Sequence, residues 1–407
     1  MVTGNPPGPP EASFAGVPRV VPRPLAELDP LLEWLRTGRP ATKRLDFPAG
    51  TALPDGRLDL CKQGVGARGA ALVAEALARL RAGDGPGTPP PVRHLLLGTD
   101  GLGDEGAAAV AGRGTGVETL YLACNGITAG GACRVADRLR ASPSVVTGVW
   151  LKRNPLGSRG GHTAAELIES VRTLRTLDLV QTGLDAAGAV HLADALTAAA
   201  HDGRPVERLF AGGNPLGEPG AEALAAVVAA GAVGELYVSA AGLGDAGARF
   251  LAAALERAPY GRLTRLSVAA NGIGAGAVAR LVTAATEAGV TLLDLGRVRA
   301  ASVLGAADNH VDLAAAGAIG EALAAGPHRL SHLVLTHTGM RSREAHRLLD
   351  TAPGAATATR FVLGAGVAAS VKRRLHAWSA HVPPPAVPAD VAAVRSVHRT
   401  APPAGGR

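Results

Sequence analysis

The sequence predicts an α/β solenoid, a horseshoe with a concave parallel β-sheet and convex helices. Three observations carry this expectation. A unit reading L-x-L-x-x-(N/T)-x-(L/I)-x-x-x-G recurs along the chain, and each copy is followed by an Ala/Leu-rich amphipathic stretch. The marker residue steps by 29, 28, 32, 27 and 30, from Asn125 through Asn154, Thr182, Asn214 and Ala241 to Asn271. A step of that length holds one strand and one full helix, and units that bury a face only against their neighbours form a stacked array.

The clearest copies open at Leu120-Tyr121-Leu122, Val149-Trp150-Leu151, Leu177-Asp178-Leu179 and Leu209-Phe210-Ala211, and two more at Leu236-Tyr237-Val238 and Leu266-Ser267-Val268. Upstream, Leu58-Asp59-Leu60 and Leu95-Leu96-Leu97 keep the phase, and Leu333-Val334-Leu335 restores it downstream. Leu293-Asp294-Leu295 opens a further copy that residues 297–308 interrupt. In L-x-L the leucines turn into the core while the middle residue faces out, because side chains alternate along a strand. The residue that follows is expected to form a structural ladder of Asn125, Asn154, Thr182, Asn214 and Asn271, whose polar groups satisfy backbone atoms left unpaired at each turn. Ala241 interrupts that ladder. In seven repeats a glycine six residues after the marker (Gly69, Gly106, Gly131, Gly160, Gly188, Gly220, Gly247) permits close packing where the helix starts.

This pattern resembles the leucine-rich-repeat family, in its long-repeat subtype shared by ribonuclease inhibitor, the Ran GTPase-activating protein and the sensing domains of NOD-like receptors. The resemblance runs from about Leu58 to Met340. It implies one β-strand and one α-helix per turn and a protein-binding role. The alternating cysteine-bearing repeats of ribonuclease inhibitor are absent, and the arginine and asparagine constellation of the Ran activator cannot be placed on this chain.

The rest of the chain divides around the array. Residues 1–24 are Pro/Gly-rich and expected to be disordered. Residues 25–57 are expected to cap the first repeat, with helix-period apolar residues in LAELDPLLEWLR. The array is placed at 58–352, a C-terminal cap with a basic helix at 353–380, and a disordered Pro/Ala-rich tail at 381–407. An expected last strand covers residues 361–363 and an expected helix 367–380. The insertion at 82–91 lengthens one loop.

Composition narrows the function. Aromatics are 3% of a chain that is 47% hydrophobic, so Leu, Val and Ala fill a thin, layered core. Of the net charge of +7, nearly all lies beyond residue 354, where seven basic residues accompany the single acid Asp390. That basic segment, with Lys372, Arg373 and Arg374, can contact polyanions, although solvated terminal charge explains it as well. Thirty-seven of the 41 basic residues are arginine, which suits a GC-rich genome. Cys61, Cys124 and Cys133 lack metal-type spacing, and the odd count argues against a disulfide framework. With no signal-like segment and no apolar run of membrane length, the chain is expected to be soluble, cytoplasmic and monomeric, with neither membrane insertion nor a specific nucleic-acid partner.

Motifs that mimic catalysis have plainer explanations. GxGxxG occurs at Gly64–Gly69, Gly101–Gly106 and Gly242–Gly247, always at one repeat phase, where turn and helix start account for it better than a dinucleotide does. His332, His337 and His346 lie within 15 residues of each other, a grouping that surface placement explains better than a metal site. HExxH, GxSxG and a P-loop lysine are absent, so no cofactor or catalytic residue is assigned. Residues 297–308 are either a cationic contact loop or a neutral insertion.

The candidate site is the outward column of the strands: Asp59, Leu96, Tyr121, Trp150, Asp178, Phe210, Tyr237, Ser267 and Asp294. Four aromatics fall in it, with Asp178 between two pairs and Lys152 and Arg153 beside Trp150. Exposed aromatics with polar tips anchor protein interfaces, whereas aromatics that simply favour strands need no ligand. The favoured reading is a non-enzymatic scaffold that binds a protein or peptide partner through Tyr121, Trp150, Lys152, Asp178, Phe210 and Tyr237. The alternative is a regulator of a partner enzyme, as inhibitor or GTPase-activating-like protein.

Overall fold

A computed structural model describes residues 19–81, 90–112, 116–141 and 145–400. Residues 1–18 and 401–407, expected to be disordered, lie outside the described residues, as do residues 82–89 of the expected loop insertion. The strands form one thirteen-stranded sheet whose spatial order is the chain order. The first two, Leu45–Phe47 and Gly50–Ala52, form an antiparallel hairpin within the N-terminal cap, and Gly50–Ala52 pairs antiparallel with Arg57–Asp59. From Arg57–Asp59 to Arg360–Leu363 every pairing is parallel and keeps one register, so Leu58, Leu95, Leu120, Val149, Leu177, Leu209, Leu236, Leu266, Leu293 and Leu333 stand side by side. These side chains are fully buried. The chain is therefore a leucine-rich-repeat solenoid.

Helices such as Gly160–Ser170, Ala186–His201 and Gly217–Ala229 cover the other side of the leucine layer with Ala, Leu and Val. Small residues let successive helices approach closely. A Cβ on Gly161 would stand 2.0 Å from the carbonyl oxygen of Gly188 in the next helix, and one on Gly106 would stand 2.9 Å from the Cα of Ala67 in the previous one. Neither contact tolerates a side chain, because the obstacle is backbone. The cap helix Asp29–Arg36 seals the first repeat with buried Leu31, Leu32 and Leu35.

Nine of the parallel strands end in the same turn, and the turn contains a residue with left-handed backbone. Lys62, Thr99, Cys124, Arg153, Gln181, Ala240, Ala270 and His337 have φ between 53° and 63°, and Gly213 takes the same place in its repeat. That conformation costs a non-glycine residue about 1 kcal/mol or more. The marker residue comes next and offsets the cost. Asn154 accepts from the N–H groups of Asn125 (2.9 Å) and Ile127 (3.1 Å) and donates to the carbonyls of Leu122 and Leu151 (both 2.9 Å). Asn125, Asn214 and Asn271 repeat the arrangement, each accepting from the turn of the repeat before it. Thr182 only donates, to Leu179 within its own repeat. The N–H of Asn154 accordingly falls back on the Leu151 carbonyl at 3.2 Å.

Two further ladder positions emerge. Asn309, just past the interruption at 297–308, accepts from Asn271 and Ile273 and donates to Val268 and Leu295. The insertion thus lengthens the turn without removing the rung. It folds on itself, with Arg297 paired to Asp308 at 2.6 Å and Ala301 buried against Ala240 and Ala270, and Arg299 remains exposed. At the other end Asp100 stands where the neighbouring repeat has asparagine. Its Oδ1 accepts from Gln63 and Val65, while Oδ2 is buried without a partner among the described residues. Burial pushes this carboxyl up to about 8, with the charge of Asp59 adding to the rise and backbone N–H groups of Val65, Gln63 and Gly64 opposing it.

Removing the Asn154 amide leaves the N–H groups of Asn125 and Ile127 unpaired and takes one of two donors from the Leu122 and Leu151 carbonyls, so Asn154→Ala should destabilise the fold by about 3 kcal/mol, to be read from chemical denaturation. A loss below 1 kcal/mol would mean that water replaces the rung. For Asp100 the folded pKa lies above the unfolded one. Its contribution is fully present below about pH 4 and is lost as pH rises through the folded value of about 8. Asp100→Asn supplies the donor that its rung lacks. The variant should melt higher than wild type at pH 8.5, with little difference at pH 4; equal melting at pH 8.5 would contradict this account.

Candidate functional site

Because side chains alternate, each strand presents two residues to the open face of the sheet. The second of these forms the column expected from the sequence, in the order Asp59, Leu96, Tyr121, Trp150, Asp178, Phe210, Tyr237, Ser267, Asp294. Tyr121 and Trp150 lie 6.3 Å apart by ring centroid, and Phe210 and Tyr237 stack at 4.5 Å. Trp150 and Phe210 also meet, at 5.2 Å, reaching across Asp178, so the two expected pairs form one continuous row. Asp178 is buried and accepts from the N–H of Val180. Lys152 lies half-buried in the turn after Trp150, where its carbonyl accepts from Cys124.

The first column was missed, although the same period-two reasoning makes it legible. It runs Arg57, His94, Thr119, Gly148, Thr176, Arg208, Glu235, Arg265, Leu292, His332, Arg360, one residue per strand and in register. Charge is concentrated here. Glu235 is held between Arg208 at 3.2 Å and Arg265 at 3.7 Å, and accepts from the Tyr237 hydroxyl at 2.8 Å. Burial and the Glu235 charge raise the Tyr237 hydroxyl far above the usual tyrosine range, so it remains a donor.

The aromatics are not exposed, which corrects the sequence expectation. Tyr121 and Trp150 retain only 4% and 5% of their surface. They are covered by the C-terminal segment expected to be disordered. After the helix Ala369–Trp378 the chain turns back and crosses the open face from the last strand to Arg57–Asp59, the first of the parallel strands. Its main-chain carbonyls are taken in turn by column residues: Val382 by Arg360 at 3.0 Å, Pro383 by His332 at 3.0 Å, Ala386 by Arg265 at 2.6 Å, and Arg395 by Arg57 at 2.5 Å.

Between these contacts lies the short helix Ala389–Ala393. The Asp390 carboxylate pairs with Arg208 at 2.8 Å and accepts from the Thr176 hydroxyl. Val391 and Val394 pack among Leu96, Tyr121, Trp150 and Phe210. Ser396 and the N–H of Val397 then donate to Asp59, at 3.0 and 2.6 Å.

His332 is consequently buried, with its imidazole lowered by that burial, rather than lying at the surface with His337 and His346. Among the described residues no group of His, Cys, Asp or Glu is placed to hold a metal ion. The glycine pairs of the three GxGxxG strings have φ between +57° and +69° and form turns. Trp150 Nε1 is buried without an acceptor among the described residues, a cost of about 1–3 kcal/mol. Residues 19–24 are also ordered: Arg23 donates to the carbonyls of Gln63 and Pro48. Lys372 is half-buried and Arg373 and Arg374 are exposed on the helix Ala369–Trp378, and no described helix is long and apolar enough to cross a membrane.

No family model matches the sequence, and no curated protein matches it. Among solved structures, the leucine-rich repeat-containing protein LegL7 from Legionella pneumophila is similar at 17% identity with a TM-score of 0.46, over 76% of this chain and 95% of that one. A chain of the Rad7 and Elc1 complex from yeast is similar at 12% identity with a TM-score of 0.41, over 86% of each.

Proposed function

We propose that this chain is a non-enzymatic protein-interaction scaffold of the long-repeat, ribonuclease-inhibitor-like subtype, and that its concave sheet grips an extended polypeptide segment of a partner. The observation that carries this reading is the mode of contact with residues 382–397. Arg57, Arg265, His332 and Arg360 take main-chain carbonyls, which every polypeptide offers, while Arg208 and the aromatic row take side chains. The first contacts give affinity for extended chain in general; the second give selectivity. A face spanning this many strands can bury an interface of standard size, on the order of 1,600 Å², without a deep pocket. Tyr121, Trp150, Asp178, Phe210 and Tyr237 form its centre, with Lys152 at its margin.

Large aromatic side chains at the centre of an interface carry a disproportionate share of its energy. Trp150→Ala should weaken partner binding by about 2 kcal/mol or more and leave the circular dichroism spectrum unchanged, because Trp150 lies on the open face and outside the leucine layer. The test is a pull-down from the native cell extract with both chains, the bound proteins being identified by mass spectrometry and the affinity of each then measured with purified partner. Identical partner lists and affinities would defeat the assignment of this face.

A further inference from the structure

We propose that residues 382–398 are a tethered occupant of the concave face, which a partner must displace, and that their pattern is the one the partner presents: an acid, an apolar residue directly after it, a second apolar residue three further on, and a hydroxyl two beyond that. In this chain those positions are Asp390, Val391, Val394 and Ser396. The inference rests on the concave-face reading and adds the chemistry and the regulation of that site.

Each position meets a group already built into the array. The carboxylate of Asp390 faces Arg208 and Thr176 on adjacent strands. A short helical turn then brings Val391 and Val394 onto the aromatic row. Ser396 reaches Asp59, whose other oxygen accepts from the Val397 N–H. The segment approaching these contacts, PPPAVP at 383–388, is stiff and extended, which is economical for a strand that crosses a sheet.

The occupant is also imperfect. The buried Trp150 Nε1 has no acceptor beneath it among the described residues, and Val391 is only partly buried in a cluster that also holds the partly buried Phe210 and Cys124. A segment with the same pattern and an acceptor near Trp150 would bind better than the chain's own. Tethering opposes it: a short linker holds the internal segment at an effective concentration in the millimolar range. Free partner therefore meets a site open only for a fraction of the time, and its apparent affinity falls by that fraction.

The experiment compares the full chain with a full-length Asp390→Lys/Val394→Glu variant, using as probe a fluorescent synthetic peptide of residues 382–398. The released variant should bind the peptide at least about ten-fold more tightly than wild type, since the competing tether is gone. Adding Trp150→Ala to the variant should abolish that binding. A peptide carrying Asp→Ala at the position of Asp390 should bind more weakly than the natural one. Equal affinity of wild type and variant, or no binding by a folded variant, overturns the proposal.

Should the double variant fail to fold, a protease site placed at Ala380 allows the folded wild-type chain to be nicked. The tail should then dissociate on dilution and be replaced by labelled peptide; a tail that stays bound against excess peptide overturns the proposal. Partner capture that depends on Trp150 but is equal for wild type and released chain defeats the tether alone and leaves the concave-face reading standing. Peptide binding by the released chain, with partner capture independent of Trp150, supports the tether and defeats the partner reading.

Discussion

Everything in this molecule depends on how the chain satisfies its backbone at the turn after each strand. A parallel repeat must reverse direction there within a few residues, and a buried N–H or C=O left unpaired at that point costs more than most side-chain contacts return. One left-handed residue makes the turn, and the next residue's amide bridges it to the turn before. Because each asparagine serves two repeats, it also sets their spacing and register. The parallel sheet, the buried leucines and the two outward columns all follow from that spacing.

The ladder explains which parts of the fold were legible in the sequence. Asn125, Asn154, Asn214 and Asn271 announce themselves by residue type and interval, and so does the leucine that precedes each of them by three or five positions. Asn309 did not, because residues 297–308 separate it from its strand, and distance in sequence hides a contact that depends on distance in space. Asp100 was visible as a marker but not as a weak rung, since its second oxygen matters only once it is buried. The N-terminal hairpin has no repeat behind it, and three-residue strands outside a periodic pattern leave almost no trace.

The site divides in the same way. The aromatic column could be read from alternation, whereas the charged column beside it needed only the same rule applied one step earlier in each strand. What could not be read was the cover. Residues 381–397 look disordered because proline, alanine and isolated valines carry no periodic signal, yet their partners are 22 to 338 residues away in sequence. Composition describes how a segment behaves alone. It does not describe a segment for which a complementary surface has been prepared elsewhere in the same chain.

That crossing segment gives the array a property that open solenoids lack. In a stack of repeats each unit feels only its neighbours, so a unit gained or lost lengthens or shortens the stack with little further consequence. Here a strap of fixed length is fastened at Arg360 near one end and at Asp59 near the other, with Asp390 matched to Arg208 in between. Insertion or deletion of one repeat would slide the fastenings by one strand spacing, about 4.8 Å, and set the carboxylate opposite a different residue. The strap acts as a gauge. It ties the number of repeats to the length of a stretch of chain that belongs to none of them, so that neither can drift in evolution without the other.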